Sequence, residues 1–131
     1  MPKMNTEQIT LGDFAQKYLD FFERTTAGDR VMYPFFDDSR FPNECWSLGF
    51  EMDCGHSFIK AYGEEAWRSV NGLRRIVDSI NDVKVLGSAI FSQWRYFNHW
   101  AGCGPSEEDL EWFIVMFRRL RQLSEIKLMD N

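Results

Sequence analysis

Ser88, Ser92, Arg95 and His99 fall at i, i+4, i+7 and i+11 and draw one polar line along a segment, Val83 to Trp100, that is otherwise apolar. Tyr96 borders this line, and Trp94 and Trp100 flank it. A guanidinium and an imidazole between aromatic walls suit an anionic or planar ligand. An arginine enclosed in such a helix needs a carboxylate or several acceptors, because burying an unpaired charge is very costly. Glu51 and Asp53, beside His56, are the expected partners of Arg95. The ligand-binding candidates are therefore Arg95, His99, Tyr96, Trp94, Glu51 and Asp53. The commoner use of such a line is an internal ion-pair network that fixes how helices meet.

Metal chemistry is the next possibility. Cys54-Gly55-His56 and His99-x-x-x-Cys103 supply two thiols and two imidazoles, enough for a tetrahedral zinc site. Neither spacing is that of a zinc finger, so reduced thiols beside unrelated histidines are the plainer expectation, and no cofactor is required. A Cys–His nucleophilic pair needs only that the partners meet in space. The chain has no Gly-rich phosphate loop, no G-x-S-x-G elbow and no H-E-x-x-H helix. Asp37-Asp38 could hold a divalent ion, but adjacent acids in a turn are usually solvated. Arg118, Arg119 and Arg121 could meet an acidic partner or nucleic acid, though basic residues late in a helix more often just complement its dipole.

These residues must be positioned by helices. Thr10 with Asp13 three residues on is a capping signal, and Leu11, Phe14, Tyr18 and Phe22 recur at helical spacing, which predicts a helix over about 11–27 with Gly28 as its stop. Residues 29–43, with Pro34 and Pro42, read as an irregular connection carrying Tyr33, Phe35, Phe36 and Phe41. Residues 43–62 read as two short helices or one interrupted helix. From Glu64, Ala66, Leu73, Ile76 and Ile80 form an apolar stripe. Over 83–101, Leu86, Ile90, Trp94 and Phe97 make one face and Ala89 lies opposite, so this helix belongs at the centre of its domain. Ala101 to Pro105 breaks the chain, and Ser106 caps a last helix that opens on Glu107-Glu108-Asp109. No strand alternation appears. The expectation is an all-α, compact single-domain bundle of four to five helices spanning 1–131.

Composition bounds the function. The 131 residues include 34 Leu, Ile, Val or Phe and 21 aromatics, ample for a bulky core. Formal charge is −5; residues 1–65 carry 12 acids against 6 bases, and 66–131 carry 8 against 9. Neither half has the basicity of a phosphate-binding surface, so nucleic acid is an unlikely partner. The longest apolar run, Trp112–Phe117, is far short of a membrane span. The opening residues lack a secretory apolar region, and three cysteines are too few for a disulfide scaffold. A cytoplasmic protein is expected.

Through Leu86-Gly87-Ser88-Ala89-Ile90-Phe91-Ser92-Gln93-Trp94-Arg95-Tyr96 and His99-Trp100, the chain resembles a family of small uncharacterised bacterial proteins. Glu111-Trp112-Phe113 and Arg118-Arg119-Leu120 fit the same resemblance, which covers about 83–123 and implies no catalytic residue. Two functional expectations follow. The first is a non-enzymatic interaction module of bacterial or phage origin, such as a regulator, immunity protein or inhibitor, whose surplus aromatics would face a protein partner. The second is a small-ligand or metal-dependent enzyme centred on Arg95 and His99. Whether those two side chains open onto a cavity or lie sealed beneath neighbouring helices separates them.

Overall fold

The computed structural model describes residues 9–25, 40–98 and 106–129. Among them are seven α-helices and no strand: α1 (Leu11–Arg24), α2 (Arg40–Ser47), α3 (His56–Tyr62), α4 (Glu64–Arg68), α5 (Val70–Ile76), α6 (Val83–Asn98) and α7 (Glu107–Met129), with a 3-10 turn at Val77–Ser79. The all-α class is as expected, and the count of four to five is too low.

The helix starts follow the capping residues. Thr10 Oγ1 accepts from the Asp13 amide at 3.2 Å and opens α1. Ser106 and Asp109 cap α7 reciprocally: the Asp109 amide donates to Ser106 Oγ at 3.1 Å and the Ser106 amide to Asp109 Oδ2 at 3.0 Å. Helix α1 ends three residues earlier than its apolar spacing suggests. The Thr25 hydroxyl donates to the Phe21 carbonyl at 2.7 Å and the Thr25 amide to the Phe22 carbonyl, which closes the last turn before Gly28 is reached.

Two further boundaries differ from the periodicity. Arg40, Phe41 and Pro42, expected in an irregular connection, belong to the first turn of α2. Pro42 fits there because amides in the first helical turn have no intrahelical partner to lose. The stripe from Glu64 is split at Ser69, whose extended backbone ends α4 while its hydroxyl accepts from the Gly72 amide at 2.9 Å and starts α5. Glu108 Oε2 takes the Val70 amide at 3.2 Å, so α7 also helps cap α5. Residues 43–62, read as two short helices or one interrupted helix, hold the end of α2 and the whole of α3, with an irregular segment between them.

Helices α1 and α7 run antiparallel, with Gly12 against Ser124, Tyr18 against Phe117 and Phe22 against Phe113. The Phe22 and Phe113 rings stack at 4.8 Å, Tyr18 on Phe117 at 5.7 Å, and Phe41 of α2 lies on Phe14 at 5.7 Å. Each such ring contributes about 1.5–3 kcal/mol by leaving water, and each pair roughly 0.5–1.5 kcal/mol more. Helix α6 packs on α2, α3 and α7, while α7 also meets α1, α5 and the 3-10 turn. The centre is therefore shared by α6 and α7 and not held by α6 alone.

One close approach sets the register of α6. The Phe50 ring lies flat against Gly87, so closely that an added Cβ would sit inside the ring's van der Waals surface. Alanine at position 87 would improve helix propensity by about 1 kcal/mol, but it must displace a buried ring. Gly87→Ala should therefore lower unfolding free energy by about 1–3 kcal/mol in a urea titration. Unchanged or raised stability would show that the contact is not fixed.

Candidate functional site

Beyond Phe50 the chain runs along α6 and meets the polar line found in the sequence. The Glu51 amide donates to Ser88 Oγ at 2.8 Å, and Ser92 Oγ donates to Asp53 Oδ1 at 3.4 Å. Both serines are only 2% exposed. Asp53 also accepts from the Gly55 amide on Oδ1 at 3.0 Å, and from the Ser57 amide and hydroxyl on Oδ2 at 3.2 and 2.6 Å. It supplies the capping that Gly55, the residue before α3, has no side chain to give. Partial burial opposes ionisation of Asp53, but these hydrogen bonds outweigh it and hold the carboxyl below its usual range.

Cys54 and Gly55 both take left-handed backbone angles, with φ of 60° and 77°. That turn slides Gly55 beneath the Trp67 ring, where an added Cβ would approach ring carbon at 2.5 Å. It leaves the Cys54 thiol and the His56 side chain exposed. Among the described residues no three His, Cys, Asp or Glu side chains gather closely enough to hold a metal. The other two zinc candidates, His99 and Cys103, lie outside the described residues, as does Asp37-Asp38. Cys45 is buried, and burial with the neighbouring Glu44 carboxylate pushes its thiol far up, so it stays protonated.

Arg95 is not where the sequence places it. Its side chain is exposed, and its described contact is Nη1 to the Met52 sulfur at 3.7 Å. Glu51 pairs instead with Lys84 at 3.3 Å, and Asp53 with the amides and hydroxyls above. The expected Arg95 pairing with Glu51 or Asp53 is thus corrected. Lys84 took the Glu51 carboxylate, and backbone amides and serine hydroxyls took that of Asp53, because the 50–53 segment lies along α6 at Ser88 and Ser92, below Arg95. Trp94 is half-buried, with Phe41 at 5.7 Å and Phe91 at 5.9 Å. Tyr96 belongs to α6, but its side chain, like all of His99, lies outside the described residues.

Sequence reasoning missed Trp46. It is 58% exposed, the larger of the two exposed large hydrophobics among the described residues, and its ring meets Phe91 edge-on at 5.5 Å. The available signal was its helical offset from Cys45, Leu48 and Met52, which turns it off their common face. Trp46 and Trp94 both pack on Phe91, and Arg95, one helical turn after Phe91, reaches the half-buried Met52, which brings aromatic, thioether and guanidinium groups to this stretch of α6.

The three late arginines are fasteners of the fold. Arg118 pairs with Glu23 at 3.3 Å, and Arg121 donates to Gln16 Oε1 at 3.1 Å. Arg119 donates to the carbonyls of Ile80 and Asp78 at 2.9 and 3.1 Å. No described helix is long and apolar enough to cross a membrane. Comparison with family models, with known proteins and with solved structures finds no match for the chain.

Asp53→Ala should cost about 1–2 kcal/mol near neutral pH through loss of the α3 cap. Because folding depresses the Asp53 pKa, its contribution is complete above the ordinary value of 3.8 and is lost as pH falls through the lower folded value. The stability gap between wild type and Asp53→Ala, followed by thermal melts from pH 7 to 2, should therefore narrow only at the acid end. A gap that widens on acidification would contradict the assignment.

Proposed function

We propose that the protein acts by binding another protein through the surface formed by Trp46, Met52, Trp94 and Arg95. The exposure of Trp46 supports this reading most directly: a large ring is held edge-on against the core at Phe91 while most of its area faces water. Tryptophan and arginine are the residue types that most often carry interface energy, and methionine adapts its shape to a partner. Isolated exposed apolar residues need no explanation. Here, however, the tryptophan shares its ring contact, Phe91, with Trp94, and Arg95 follows one helical turn after that same phenylalanine.

Ser88, Ser92 and Asp53 are spent on anchoring the 50–53 segment and capping α3. The reading is that of a small acidic regulator or inhibitor whose effect lies in occupancy of its partner.

Arg95 carries no structural ion pair among the described residues, so Arg95→Ala should melt within about a degree or two of wild type, a surface-like change below roughly 0.5 kcal/mol. Immobilised wild-type protein should retain a stoichiometric partner from an extract of its native cells. Trp46→Ser and Arg95→Glu, folded by circular dichroism, should each lose it. Retention by both variants would reject this surface as the binding site.

A further inference from the structure

We infer that the partner meets this surface with a peptide segment carrying an aspartate or glutamate beside a bulky apolar residue, the carboxylate on Arg95 and the apolar group over Trp46. The inference rests on the binding reading above and adds the chemistry of what is bound.

It starts from how the neighbouring charges are used. Glu44 accepts from the Tyr18 hydroxyl and from Lys17 Nζ, both at 2.7 Å. Glu51 faces Lys84, and Asp53 is saturated by four hydrogen bonds. None of these three carboxylates pairs with Arg95, which has no carboxylate partner among the described residues. Elsewhere on the surface Arg68, Arg74, Arg75 and Arg118 each face a carboxylate, of Glu64, Glu111, Glu65 and Glu23. Arg95 has a thioether, a weak acceptor that can satisfy one of five donors at most.

While exposed, Arg95 is satisfied by water. Docking a partner over Trp46 removes that water from a guanidinium one helical turn from Phe91, on which Trp46 rests. A neutral or basic segment would leave the charge unpaired, whereas a carboxylate can take it bidentately. The Met52 sulfur already holds Nη1, and Trp94 precedes Arg95 on the helix, so the fork is presented from a partly fixed position. Apolar contact then supplies the affinity, and the charge selects among segments that could make that contact.

The test uses the whole chain and a defined probe. Random twelve-residue peptides displayed on phage are selected on wild-type protein, and the enriched sequences are synthesised and titrated. They should carry Asp or Glu next to a bulky apolar residue and bind Trp46→Ser and Arg95→Glu at least tenfold more weakly. Replacing the peptide's acid by arginine should restore binding to Arg95→Glu, which a merely misfolded variant could not show. Peptides that need Trp46 but lack an acid, or bind Arg95→Glu as tightly, would overturn the charge inference and leave the binding reading standing. Absence of any Trp46-dependent peptide would overturn both. A wild-type dimer in sedimentation that Trp46→Ser abolishes would name a second copy as the occupant and likewise overturn the inference.

Discussion

The seating of the Phe50 ring on Gly87 is the contact on which this surface depends. A helix offers such a flat bed only where a side chain is missing, and Gly87 is the one position on the buried run of α6 that provides it. With the ring in place, Glu51 lies beside Ser88 and Asp53 beside Ser92, one helical turn further along. Both serines are buried, so each needs its partner; an unsatisfied buried polar group costs on the order of 1–3 kcal/mol. Asp53 then fixes the start of α3, and the left-handed turn at Cys54-Gly55 packs under Trp67. A single apolar contact thus sets the register of a chain of polar ones.

The aromatic core provides the second level. Rings from α1, α2 and α7 interlock through Phe14, Phe41, Tyr18 and Phe117, and the same Phe41 reaches Phe91 and Trp94 of α6. Helix α2 is tied down on its other side by Glu44, held by Tyr18 and Lys17. That attachment orients the short helix so that Phe41 and Cys45 face inward and Trp46 outward. The exposure of Trp46 is a consequence of how α2 is anchored and requires no strain in the helix.

Much of the helical layout was legible because it rests on local chemistry. Thr10 and Ser106 cap the helices the sequence assigns to them, and the Phe14, Tyr18, Phe22 stripe is buried as its spacing implies. What could not be read was how one segment lies on another. Ser69 looks unremarkable within an apolar stripe, and its own cap on α5 is reinforced by Glu108, 38 residues from the Val70 amide it accepts. Arg95 was mistaken for a buried ion-pair member because its neighbours Trp94 and Phe91 are aromatic. Its exposure depends on where the 50–53 segment ends its run along α6, which no periodicity encodes. Trp46 was overlooked for the same reason: its outward direction is set by tertiary anchoring. The polar line did mark a place that matters, but its first half is scaffold, and Arg95 alone of the described part faces outward.

Amide hydrogen exchange by NMR in wild type and Ser88→Ala tests the central claim, that the 50–53 segment is strung along α6 and thereby separates scaffold from binding surface. The Glu51 amide donates to Ser88 Oγ, so removing the hydroxyl should speed its exchange at least tenfold. The amides of Gly55 and Ser57, held by Asp53 at the next anchor, should follow in part, while those of α1 and α7 keep their protection. Equal protection of Glu51 in the two proteins, or uniform loss across every helix, would contradict the account.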